Sequence, residues 1–119
     1  MAAFAKVVYG LFGVLSLAAG LFVIVSPSAI VEEGDPGIVP HLLQEQAAAF
    51  VFIGLMCLWC IRHFPERRPV HGALFLFTLL YAAVHWWGVL HGETPSAGGY
   101  ATLVPVLLLA ATWPRTAPR

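Results

Sequence analysis

Residues 7–25 read VVYGLFGVLSLAAGLFVIV. No charged side chain interrupts the run, and only Tyr9 and Ser16 break its apolar character. At about 1.5 Å per residue a helix of this length reaches roughly 28 Å, close to the ~30 Å hydrocarbon core of a bilayer. The stretch predicts a transmembrane helix. Lys6 before it and Pro27-Ser28-Ala29 behind it imitate a cleavable secretory signal only in part, because the apolar run is longer than the usual 7–15 residues, roughly, of such signals. We read it as a retained span.

Three further apolar stretches follow. Leu42 to Ile61 carries Gln44, Glu45 and Gln46 in its first turns; Gly72 to Leu90 contains one ionisable group, His85; Gly98 to Trp113 is shorter and holds Pro105, which predicts a kink. The pieces between them are rich in Gly, Pro and Ser and too small to be domains. The expectation is an all-α integral membrane protein, a single transmembrane domain of four helices over about 4–25, 42–62, 70–91 and 98–113.

Composition agrees with this reading. Of 119 residues, 60% are hydrophobic and 10% charged, and mean hydropathy is +0.84. Ordinary soluble domains carry about a quarter charged residues. Six basic and six acidic side chains cancel to a net charge of zero, so nothing supplies the basic field that nucleic-acid binding needs.

Charge also predicts orientation. With the amino terminus in the cytoplasm, Lys6, Arg62, Arg67, Arg68, Arg115 and Arg119 all fall on that side, and Glu32, Glu33, Asp35, Glu45 and Glu93 fall on the other. Both termini are then cytoplasmic. Trp86, Trp87 and Tyr100 mark the outer interface, and Tyr9, Trp59 and Trp113 the inner one.

Small residues predict which faces pack. The first helix offers Gly10, Gly13, Ser16 and Gly20, and the third offers Gly88-x-x-x-Gly92; such residues let backbones approach in lipid, either within one bundle or between two copies of the chain. On the third helix, His71, Thr78, Tyr81 and His85 share one side, which should face protein. On the second, Glu45, Ala49, Phe52, Met56 and His63 form one stripe. Glu45 and His85 lie at similar shallow depth, so they are expected to meet, as an interfacial anchor or as a proton-linked pair.

His41 and His91 extend this group at the outer mouth, giving His41, Glu45, Tyr81, His85 and His91 as candidate ligand or proton-linked residues. They lack the compact spacing of zinc modules, so no metal site is expected. A haem would require an axial imidazole with space around it, and His85 with Gly88 beside it is the candidate; which cofactor, if any, is left open. No nucleophile or oxyanion donor completes a catalytic site. Cys57 and Cys60 stand in a C-x-x-C spacing but fall in the cytoplasmic half of the second helix, where buried, reduced thiols are expected. Four-helix membrane thiol oxidoreductases need a second cysteine pair, and small multidrug-resistance transporters need a carboxylate within their first helix. This chain has neither.

The glycine-rich first helix ending in Ser26-Pro27, the segment EQAAAFVFIG over residues 45–54, the basic turn RHFPERR over 62–68 and the HWWG of residues 85–88 resemble small DoxX-like bacterial four-helix membrane proteins. The resemblance is one of architecture. It implies an accessory role beside a quinone or sulfur redox partner and carries over no catalytic residue. Sequence alone therefore favours a non-catalytic accessory or scaffold subunit of a bacterial inner membrane, with the bilayer, a membrane protein or a second copy of itself as partners. The alternative is a binder or enzyme for a quinone, lipid or tetrapyrrole at the outer end of the bundle.

Overall fold

A computed structural model describes residues 2–29, 40–92, 94 and 97–114. Among them stand four α-helices: α1 (Ala2–Val25), α2 (Pro40–Arg62), α3 (Arg68–Leu90) and α4 (Ala97–Ala111), with 3-10 turns at Pro27–Ala29 and Phe64–Glu66. The first three are long and apolar enough to cross a membrane, whereas α4 is shorter. Its 15 residues reach about 22 Å. The acidic residues Glu32, Glu33, Asp35 and Glu93, and the basic residues Arg115 and Arg119, lie outside the described residues.

Local chemistry sets the helix ends. Pro40 opens α2, a position where its missing N–H costs nothing. Between α2 and α3, Pro65 stands in the 3-10 turn and Pro69 in the first turn of the next helix. Gly92 follows the end of α3 with φ 103°, a left-handed conformation that spares other residues a steric penalty. That placement corrects one expectation. Gly88 and Gly92 do not form a packing face, because the helix stops at Leu90 and Gly92 terminates it.

The four helices form two antiparallel hairpins. α1 packs along the length of α2, and α3 along α4, while the hairpins touch each other more lightly. The α1–α2 seam is made by glycine. A Cβ at Gly20 would fall 2.7 Å from the Ala47 carbonyl and 2.9 Å from the Val51 nitrogen, and one at Gly54 would fall 2.8 Å from the Gly13 carbonyl. Backbone there meets backbone, which only a missing side chain permits. The small-residue face of the first helix is thus spent inside the chain.

Where the hairpins do meet, the core gathers at one end. Ala5, Tyr9, Ile53, Cys57, Cys60, Leu74 and Leu109 form its buried cluster. Lys6, Arg62, Arg67 and Arg68 lie at the same end, here called the basic end. Elsewhere large apolar side chains stay exposed, among them Leu15, Val25, Val84, Trp87 and Leu90. Such a surface suits lipid or other helices, not water.

Candidate functional site

At the basic end a single imidazole ties three helices together. His71, one turn into α3, is fully buried. Its Nε2–H donates to the carbonyl of Leu109 on α4 at 3.0 Å, and its Nδ1 accepts from the hydroxyl of Tyr9 on α1 at 2.5 Å. Because a carbonyl can only accept, this pairing fixes the tautomer: the proton sits on Nε2.

The Leu109 carbonyl is available for a reason internal to α4. The last carbonyls of a helix lack intrahelical donors. Here Leu108 accepts from the Thr112 backbone N–H and hydroxyl, Ala110 accepts from the Trp113 N–H, and His71 takes Leu109 with a weaker contribution from the Thr112 hydroxyl at 3.3 Å. The imidazole of α3 therefore caps the end of α4. Trp113 closes the group, its ring edge-on to His71 and Phe75.

Chemically this arrangement holds and does not react. Both nitrogens of His71 are occupied within the protein, so neither is open to a metal, a haem iron or a substrate. Cys57 and Cys60 are unbonded and fully buried beside it. Arg67, just before α3, rests its guanidinium on the ring of Phe64 at 3.6 Å and donates from Nη1 to the Phe64 carbonyl at 2.6 Å.

The expected outer group is arranged differently. His85 lies against α4, where a Cβ on Gly99 would collide with its imidazole. Glu45, on α2, is exposed. Among the described residues the two form no salt bridge, because α3 pairs with α4 and only lightly with α2. Tyr81 is partly exposed and packs edge-on to Phe50 and stacked on Phe77. His91 is exposed just past the end of α3, its Nδ1–H donating to the Trp87 carbonyl at 2.8 Å. His41 falls in the first turn of α2, and its side chain lies outside what is described. Among the described residues no three His, Cys, Asp or Glu side chains gather as metal ligands would.

Of the shared side read on the third helix, His71 and Thr78 are buried and face protein. The sequence singled out Tyr9 as a break in the first apolar span and His71 as one member of the side of the third helix expected to face protein. What it lacked was their partner, since a backbone carbonyl carries no signature in side-chain chemistry.

Between the hairpins run apolar crevices. One of about 470 Å³ lies between α2 and α3, lined by Ala49, Phe52, Met56, Val70, Ala73 and Phe77 among others. Another, of about 560 Å³, follows α1 and α4 past Leu11, Leu15, Val104 and Leu108. A third, of about 240 Å³, is lined by all four helices through Phe12, Phe50, Phe77, Tyr81 and Pro105, with Thr78 and Thr102. Both threonine hydroxyls there donate to carbonyls of their own helices, Phe75 and Gly99.

Comparison with known proteins finds no matching family model, no curated protein and no solved structure similar to this chain.

Proposed function

We propose that this chain is a non-catalytic accessory subunit of a membrane complex, its seams filled by the helices of a partner. One observation carries the reading. The two larger crevices between the hairpins are almost wholly apolar, and in the smaller one the hydroxyls of Thr78 and Thr102 are already bonded to backbone, which leaves Tyr81 as its remaining polar side chain. A quinone or tetrapyrrole is held by a few well-placed polar groups, whereas a transmembrane helix needs only shape and apolar contact. In this reading all four helices lie in the membrane, α4 as a short span, and both termini are cytoplasmic, a placement that the one-sided basic residues of the sequence support. The setting is a bacterial inner membrane, and the chain is related in kind to the small DoxX-like proteins.

The test is photo-crosslinking. A benzoylphenylalanine placed at Phe52 or Leu108 in the native membrane should crosslink to a discrete transmembrane segment of one other protein, identified by mass spectrometry. The alternative, a lipophilic ligand in the crevice beside Tyr81, predicts instead a stoichiometric chromophore or lipid in the detergent-purified protein. That result, with no protein crosslink, would replace this reading.

A further inference from the structure

We propose that the basic end of the bundle holds a binding site for a phosphate-type anion, built from Arg67, Lys6 and the ring of Phe64. Two cations from different parts of the chain converge on that ring: the Arg67 guanidinium at 3.6 Å and the Lys6 ammonium at 5.1 Å from its centroid. Like charges brought together are costly without a counter-charge. Among the described residues no carboxylate pairs with either, and the adjacent acid, Glu66, is exposed. Arg67 is only partly satisfied. Its Nη1 donates to the Phe64 carbonyl and its side chain bonds the Tyr9 hydroxyl, while its buried Nε has no partner.

Beside these groups opens a crevice of about 260 Å³, lined by Ala2, Ala5, Phe64, Arg67, Thr112 and Trp113. Its walls are more polar than those of the apolar crevices between the hairpins. Ala2 and Ala5 belong to the first turn of α1, whose N–H groups lack intrahelical acceptors and carry the positive end of the helix dipole. The end of α4 reaches the same crevice through Ala111, Thr112 and Trp113, and three of its last carbonyls, Leu108, Leu109 and Ala110, are already bonded by Thr112, His71 and Trp113. The Arg67 guanidinium and the start of α1 at the crevice, with the Lys6 ammonium over the same Phe64 ring, match a group with several anionic oxygens. A phosphate fits that description, whether it belongs to a phospholipid headgroup or is free in solution.

The experiment uses the purified full chain in a non-ionic detergent. Native mass spectrometry would titrate it with phosphatidylglycerol and with zwitterionic phosphatidylcholine, and thermal unfolding would be followed with and without inorganic phosphate. If the source is a headgroup, phosphatidylglycerol binds more tightly than phosphatidylcholine. Arg67→Gln then weakens it by about tenfold or more, as loss of a charge-assisted hydrogen bond requires. Lys6→Gln weakens it about fivefold, the share of one basic residue near anionic lipid. If the source is free phosphate, inorganic phosphate raises the unfolding midpoint of the wild type and not of the variants. Glu66→Gln should change neither readout. Lys6 is exposed, so its variant decides the matter even if Arg67→Gln fails to fold. Equal binding of both lipids together with no phosphate shift, or a Lys6→Gln protein that binds as the wild type does, would overturn the proposal.

Discussion

Replacing Tyr9 by Phe removes one hydroxyl from a side chain with no solvent exposure and leaves Nδ1 of a fully buried His71 without its donor. In water-soluble proteins a buried polar group stripped of its partner costs about 1–3 kcal/mol. In membrane bundles the measured coupling is smaller, averaging ~0.6 and reaching ~1.7 kcal/mol, because the unfolded helices also find partners in lipid. For a bond this well buried, about 1 kcal/mol is expected from Tyr9→Phe. His71→Leu loses the same bond and removes the cap of the Leu109 carbonyl, while the Tyr9 hydroxyl keeps its bond to Arg67, so about 2 kcal/mol is expected. The double variant Tyr9→Phe/His71→Leu leaves an apolar pair in place of the bond and should cost about 2 kcal/mol, not 3. Unfolding by sodium dodecyl sulfate in mixed micelles, followed by circular dichroism, measures all four corners of this cycle. Costs that add to within about 0.3–0.5 kcal/mol would show that the hydroxyl and the imidazole are neighbours without being coupled.

The glycine seam predicts a contrast: Gly54→Ala should destabilise by about 1–3 kcal/mol by forcing α1 and α2 apart, whereas Gly10→Ala, whose new Cβ would sit 3.8 Å from Ile61, should be neutral or stabilising in the same titration. For topology, single cysteines at Gly34 and Ser96 in a background lacking Cys57 and Cys60 should react with a membrane-impermeant maleimide from outside, and one at Glu66 should not; the reverse pattern would invert the orientation. The native thiols should resist alkylation until the protein is denatured, and Cys57→Ala with Cys60→Ala should leave partner crosslinking intact; an intramolecular disulfide found in the working protein would contradict this. Glu45→Gln and His85→Ala should act additively on stability, since the two form no salt bridge; a coupling near 1 kcal/mol would place them in contact after all.

Helix positions were legible because apolar length and prolines act locally. The observed starts at Pro40 and Arg68 and the ends at Leu90 and Ala111 lie within two residues of those read from the pattern. Facing was legible in part: the seven-residue spacing of His71, Thr78 and His85 identifies a side of α3, and the first two are buried there. Which layer of that side carries the important contact was not. That depends on how far α3 is shifted along α1 and α4, and the acceptor at Leu109 is backbone. The pairing of Glu45 with His85 was inferred from shared depth and from the stripes on which the two lie. Neither depth nor a stripe says which helix is the neighbour, and His85 turns to α4, where Gly99 leaves room for it.

The His71 clasp has a consequence for how the molecule is built during synthesis. The α1–α2 seam joins segments that are neighbours in the chain, so it can close as soon as Arg62 has been made. The clasp cannot. Its two bonds bridge 62 and 38 positions of sequence, so Tyr9 waits for α3 to be made and the Nε2–H of His71 waits for Leu109 in the last helix. Contacts of such long sequence separation form late and leave polar groups exposed in the interval. A ribosome that stops short of Leu109 would thus release a chain with one finished hairpin and an unsatisfied imidazole, a marked target for membrane quality control.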